Sequence, residues 1–156
     1  MNFILTNDQR HIADQIADML NKHNKLYKVH TWSSIIGSTA DYFIEVASSA
    51  TTSLKVVGCV ALEPEFKTLS KIKHLCVLPE CRRMGLAKKL VGTAIANCRT
   101  DNVYMTVRED NLASLGLAAS MGFVFVNKIW SRDHNIIALG RSTKCQHRSL
   151  NKSSMS

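Results

Sequence analysis

Ile12, Ile16, Met19 and Leu20 recur at i, i+4, i+7 and i+8. That spacing is one stripe of a 3.6-residue period and predicts an amphipathic helix over residues 7–23. Thr6-x-x-Gln9 ahead of it has the spacing of a capping box. Residues 2–5 read as a short first strand. Residues 24–40 carry no clear period and mix Lys, His, Ser and Gly around Trp32, Ile35 and Ile36. Residues 42–47 and 54–62 read as two strands, and the Ser, Thr and Ala stretch 48–53 predicts a hairpin loop between them. Residues 72–78 form a third strand, ended by Pro79. Leu86, Leu90, Val91, Ala94, Ile95 and Cys98 then trace a second helical stripe. Residues 103–107 return to strand. Residues 111–121 read as a helix stopped by Gly122, and 123–130 and 136–139 as two closing strands.

Three consecutive strands precede the βαβ unit, which argues against a purely alternating, doubly wound sheet. The order predicts an α/β fold with a mixed central sheet and helices on both faces. Neither a repeat nor a linker interrupts residues 1–140, so these read as one domain. Residues 141–156 read as a basic, Ser-rich, flexible tail. Trp32, Phe43, Met121 and Trp130 are expected in the core or as pocket wall, and Cys76 and Cys98 as small buried hydrophobes.

Composition narrows the function classes. The chain has 156 residues, of which 46% are apolar and 21% charged, so it can bury a core and is not disordered. Seven Gly and two Pro exclude a collagen-like or low-complexity chain. No apolar run approaches the roughly 18 residues of a spanning helix, and Phe3-Ile4-Leu5 is too short for a signal-peptide core. The expectation is a cytoplasmic protein with no membrane contact. Five cysteines without a CxxC pair suit a reducing compartment and give neither a zinc site nor a disulfide framework.

Lys and Arg exceed Asp and Glu by 20 − 12 = 8. Arg141, Lys144, Arg148 and Lys152 supply half of this surplus, with no acid among the last sixteen residues. The tail fits either a solvated terminus or an arm for nucleic acid or another polyanion.

The chemistry is concentrated between Leu75 and Ala87. There a strand ends, a turn follows and a helix begins near Arg83–Met84–Gly85. Such a junction presents unpaired backbone N–H groups at the positive end of a helix dipole, which suits phosphate. Gly85 and Ala87 permit close approach to the backbone, and Arg82 and Arg83 add charge. The segment is neither GxGxxG nor GxxxxGK[ST], so the dinucleotide fingerprint and the P-loop both fail.

Arg82-x-x-Gly85-x-Ala87, preceded by Val77-x-Pro79, resembles the pyrophosphate-binding motif [QR]-x-x-G-x-[GA] of the GNAT superfamily of acyl-CoA N-acyltransferases. A second motif of that family, N-x-x-[AS]-x-x-L-[YF]-x-x-x-G-F, is matched in register by Asn111, Ser114, Leu117, Gly122 and Phe123. The resemblance by motif covers residues 72–123, and the element order extends it to about 2–140.

The resemblance implies a cofactor, acetyl-CoA, and direct acetyl transfer to a primary amine of a small molecule or a protein. It places the pantetheine arm against the main chain of Leu75 and Val77, with the Val77 N–H as oxyanion donor. It gives the pyrophosphate to the amides of Arg82, Arg83, Met84, Gly85, Leu86 and Ala87. Asn111 would bond the pantetheine arm and Ser114 would lie close to the cofactor. Lys88 and Lys89 either reach the outer phosphates or are simply solvated. A homodimer through residues 123–140 is a further implication.

The chain departs from the family where a tyrosine usually serves as proton donor, because that position is Ala118. Ser120 and Tyr104 are near in sequence but off the matching place. The usual base positions on the fourth strand hold Lys71 and Lys73, which would favour an acidic or phosphate-bearing acceptor. Strand alternation turns His74 to the other face. Glu45 and His134 are the leading base candidates, with Glu109 and Asp110 behind them. Two alternatives stay open: a GNAT-like enzyme acting on nucleic acid, and a CoA-binding or interaction module without turnover.

Overall fold

The computed structural model describes residues 2–3, 9–24, 28–47 and 54–144. In chain order the elements are β1 (Asn2–Phe3), α1 (Arg10–His23), α2 (Trp32–Ile36), β2 (Asp41–Ala47), β3 (Lys55–Phe66), β4 (Leu69–Val77), α3 (Leu86–Ala96), β5 (Asn102–Arg108), α4 (Leu112–Ser120), β6 (Val124–Ser131) and β7 (His134–Ser142). The strands order as β1-β2-β3-β4-β5-β7-β6. β4 and β5 pair in parallel, while β1–β2, β2–β3, β5–β7 and β6–β7 are antiparallel, so the sheet is mixed as expected. A parallel pair needs a crossover, and α3 supplies it.

The chain packs as two compact units, Met1–Glu63 with Lys73–Ala94, and Pro64–Ile72 with Ile95–Ser156. In the first, the predicted stripe Ile12, Ile16, Met19 and Leu20 is buried. It joins Tyr42 and Ile44 of β2, Val56, Cys59 and Ala61 of β3, and Cys76 of β4 in one apolar cluster. Gln15 pins α1 to the start of β3: its carbonyl accepts from Val56 N–H at 2.8 Å and its amide donates to the Leu54 carbonyl at 3.1 Å. Arg10 lies 4.3 Å above the Trp32 ring and ties α1 to α2. The opposite face of β3 carries α3. A Cβ on Gly58 would sit 3.0 Å from Leu90 Cδ1, so the absent side chain is what lets the helix seat there.

Residues 24–40, unreadable by period, contain α2. Its start is a capping box: Thr31 Oγ1 accepts from Ser34 N–H at 3.3 Å, and Ser34 Oγ accepts from Thr31 N–H at 3.0 Å. A Ser in place of the usual Glu or Gln at the third helical position hides this signature in the sequence.

In the second unit, β5 alternates, with Val103, Met105 and Val107 buried. Asn111 caps α4 by accepting from Ser114 N–H at 3.1 Å, and the helix closes with Phe123 N–H on the Ala118 carbonyl at 3.0 Å. β6, last in the strand order, exposes Val124, Phe125, Val126, Ile129 and Trp130. Trp130 is 67% exposed, which corrects its expected place in the core; Phe43 is buried as expected. β7 runs to Ser142, and Thr143 N–H bonds the Asp101 carbonyl at 2.8 Å, so the sheet extends past the expected boundary at residue 140. Thr6, the 48–53 loop and residues 145–156 lie outside the described residues. No helix among the described residues is long and apolar enough to cross a membrane.

Leu20 is 0% exposed at the centre of the α1 cluster. Leu20→Ala is expected to lower unfolding stability by about 2–5 kcal/mol, read from denaturant midpoints at unchanged slope.

Candidate active site

β4 ends on Val77, which is buried. The chain leaves the sheet through Leu78, whose N–H bonds the Val57 carbonyl at 2.9 Å, and passes the 3-10 turn Pro79–Cys81. Arg82 folds back, donating from Nε to the Val77 carbonyl at 3.0 Å. Its guanidinium therefore braces the strand end. Arg83 at φ 63° and Gly85 at φ 77° then turn the backbone into α3. Glycine meets no steric penalty in this left-handed region, and no heavy atom lies within 4 Å of the place its Cβ would occupy. The Lys89 N–H bonds the Gly85 carbonyl at 3.0 Å. The amides ahead of Lys89 belong to the turn that helix geometry leaves without intrahelical partners. Open space, a glycine and a row of such amides are what a diphosphate requires.

Upstream on β4, Ser70 and Ile72 are buried in alternation, but Cys76 and Val77 are buried in succession. The break lies at His74, whose φ is 56°. This overturns the expectation that alternation directs His74 away from Lys73. Both side chains line one cavity of about 680 Å³, with Lys28, His30, Ser33, Ser34, Gly37, Ser38, Thr39, Tyr42 and Glu63.

Polar contacts fill this cavity's wall. The Tyr42 hydroxyl and His74 Nδ1 are 2.7 Å apart. The His30 ring meets the His74 ring edge-on at 4.7 Å between centroids. Asn21, in the last turn of α1, clamps His30 by bonding both its N–H and its carbonyl at 2.8 Å. Lys73 pairs with Glu63 at 2.6 Å, and Thr39 donates to the same carboxylate at 2.9 Å. The Lys73 charge is thus already answered, which weakens the argument for an acidic acceptor. Burial pushes the Tyr42 hydroxyl well above the usual phenol range, so it stays protonated.

The other sequence candidates are dispersed. Glu45 pairs with Lys89 at 3.0 Å. His134 Nδ1 lies 2.8 Å from Asp133, and Asp110 pairs with Arg108 at 3.1 Å. Glu109 binds Lys128 at 2.6 Å and Asn135 at 2.7 Å; these bonds, Lys128 foremost, hold its carboxyl below the usual range. Lys71 lies 5.6 Å from the Tyr104 ring centroid, and the Tyr104 hydroxyl donates to Glu65. Ala118 is fully buried. Sequence reasoning missed Tyr42 and His30 because they lie in or beside the unpatterned stretch. No cluster of three His, Cys, Asp or Glu able to hold a metal occurs among the described residues.

His30 is held below its ordinary value of 6.5, first by burial and then by the charges of Lys28 and Lys73. A depressed histidine binds fewer protons folded than unfolded, so its contribution is intact above pH 6.5 and is lost as pH falls through the folded-state value. His30→Gln is therefore expected to flatten the fall in stability between about pH 7 and pH 5, read from denaturation midpoints across that range.

A model of the acetyltransferase (GNAT) family matches residues 16–123. No curated protein sequence matches the chain. Among solved structures, the NatC complex bound to Gag peptide and CoA aligns at 19% identity with a TM-score of 0.72, covering 91% of this chain and 97% of that one. An aminoglycoside 6'-N-acetyltransferase complexed with coenzyme A aligns at 12% identity and TM-score 0.70, covering 92% and 97%. Arabidopsis thaliana NAA60 in complex with a bisubstrate analogue aligns at 15% identity and TM-score 0.70, covering 91% and 97%. At these identities the likeness is one of fold, whereas the family model spans well over half of the chain and takes in both sequence motifs. The chain belongs to the GNAT acetyltransferase family.

Proposed function

We propose that this chain is an acetyl-CoA-dependent N-acetyltransferase that moves an acetyl group directly to a primary amine. The observation that carries the reading is the turn from Arg82 to Ala87, where Gly85 at φ 77° opens the mouth of α3. The residues fit the cofactor. The amides of Arg83 to Ala87 would hold the diphosphate, Arg83 would add charge, and the main chain of Leu75 and Val77 would line the pantetheine arm; the Arg82 N–H, expected in that set, is instead taken by the Pro79 carbonyl at 3.3 Å. Acetyl-CoA, when bound, supplies a thioester whose carbonyl carbon accepts the amine nitrogen.

The chain's own contribution is positional and electrostatic. Arg82 holds the end of β4 against the loop, so the Val77 N–H and the α3 amides keep a fixed relation. The Val77 N–H is the proposed donor to the thioester oxygen, where a preset amide costs no reorganisation. Glu45, paired with Lys89, ties β2 to the first turn of α3. The buried Ala118 offers no proton to the departing sulfur. A thiol of ordinary pKa near 8.5 is a tolerable leaving group without one.

Of the structures that share the fold, one is bound to a Gag peptide and another is named for an aminoglycoside, so an amine acceptor of either kind is within the reading. Gly85→Asp places a carboxylate against the proposed diphosphate. Acetyl-CoA affinity is expected to fall at least tenfold by calorimetry, on a chain that still unfolds cooperatively at a midpoint lowered by the strain of a side chain at φ 77°. Unchanged affinity would contradict the placement. Tight acetyl-CoA binding with no thiol released across a panel of amines would instead identify a binding module.

A further inference from the structure

The acetyltransferase reading leaves the class of amine open, and the cavity beside α2 narrows it. We propose that this cavity selects a small acceptor amine that also carries an oxyanion, a carboxylate or a phosphate, and holds that group with Lys28, His30 and Ser38. The inference rests on the acetyltransferase reading.

The wall is polar throughout. No Leu, Ile, Val, Met, Phe or Trp lines it, and its one Tyr turns a hydroxyl to His74. An apolar body placed there would strip water from hydroxyl and ammonium groups and give nothing back. The volume of about 680 Å³ falls among small-molecule sites, which span roughly 300–1,000 Å³.

The wall is also positive. Lys73 alone does not make it so, because Glu63 answers it at 2.6 Å. Lys28 is a second cation on the same wall, and Glu63 is the only acid there. Lys28 is exposed and has no acidic partner among the described residues. His30 registers the resulting field: after burial, the charges of Lys28 and Lys73 are what hold its ring below its ordinary value.

Hydrogen-bond donors remain on this wall after its internal pairs are made. Thr39 is committed to Glu63 at 2.9 Å. Ser38 Oγ accepts from the Ala40 N–H at 3.1 Å, which leaves its own O–H to donate. Asn21 bonds the backbone of His30 and not its ring, and a neutral imidazole offers one N–H in either tautomer. Donors and a spare cation are what an oxyanion complements. The clamp on His30 and the Thr31–Ser34 capping box fix this side of the wall in advance, which lowers the ordering cost of binding.

Position links the cavity to the reaction. Lys73 and His74 immediately precede Leu75, whose main chain is proposed to line the pantetheine arm. The same charges select by repulsion. A polyamine or other polycation meets Lys28 and Lys73 as like charges, so the wall that attracts an oxyanion turns such acceptors away.

The test uses the full chain and four matched amines: 3-aminopropionate, 2-aminoethyl phosphate, 3-aminopropionamide and 1,3-diaminopropane. Thiol release with acetyl-CoA gives kcat/KM for each. Wild type is expected to favour the two oxyanion amines over the neutral amide by about tenfold or more, with the diamine poorest. Lys28→Glu reverses an exposed charge. The ratio of oxyanion to amide kcat/KM should fall at least about tenfold and the diamine should gain; Lys28→Gln should give an intermediate ratio. The intrinsic reactivities of the amines cancel when the ratio is compared between variants. The faster oxyanion amine tells carboxylate from phosphate, and either supports the inference.

A second readout does not depend on turnover. With coenzyme A in place of acetyl-CoA no transfer occurs, and the His30 imidazole is followed by NMR. Lys28 on its own segment, Tyr42 from β2, Glu63 from β3 and Lys73 and His74 from β4 share the cavity with it. A bound oxyanion offsets the lysines, so either oxyanion amine should raise the His30 midpoint and the amide should not. Thiol release with equal ratios in wild type and Lys28→Glu, or a His30 midpoint that neither oxyanion moves, overturns this inference alone. A raised midpoint without thiol release from any amine overturns the transferase reading and keeps the oxyanion site.

Discussion

One residue in a left-handed conformation sets the layout of the first unit. A regular strand sends neighbouring side chains to opposite faces. At His74 that rule is suspended, so Lys73 and His74 share a cavity while Cys76 and Val77 are both buried. The cost of such a backbone, on the order of 1–3 kcal/mol, is met by what surrounds it. The Tyr42 hydroxyl holds the ring, the Cys59 thiol holds its carbonyl, and the Asn24 side chain donates to the next carbonyl, Leu75, at 3.2 Å.

Around that point the charges are spent in pairs. Lys73 meets Glu63, and Lys89 meets Glu45. Paired charges of this kind contribute little to stability where they are exposed. Their effect here is to tie β4 to β3 and α3 to β2. The same economy applies at Arg82, which the family motif assigns to the phosphate loop but whose Nε is committed to the Val77 carbonyl. The strand end and the loop that follows it are thereby one piece.

Much of the fold was legible because the apolar period is strong where burial is deep. Ile12, Ile16, Met19 and Leu20 announced α1, and all four are buried. The Arg82–Ala87 junction was legible because Gly85 is needed for a positive φ that few residues adopt. The cavity was not legible. Its α2 wall begins with a Thr–Ser capping box in place of the commoner Thr–Glu form, and α2 has only five residues, too few to show a period. His74 was misread because alternation assumes regular dihedrals, and nothing local in Lys73-His74-Leu75 signals the exception. Trp130 was misread because an aromatic in a strand pattern suggests a buried face, whereas β6 comes last in the strand order and is exposed along nearly its whole length.

That outermost strand bears on how the molecule behaves in concentrated solution. A rim presenting Val124, Phe125, Val126, Ile129 and Trp130 is a template for sideways growth of the sheet. A register shift between Phe125 and Asn127 interrupts the ladder, and Lys128 places a cation midway along it. The surplus of +8 adds mutual repulsion between copies, which salt screens within about 10 Å at 0.1 M. Colloidal stability is thus purchased with charge, and rising ionic strength erodes it.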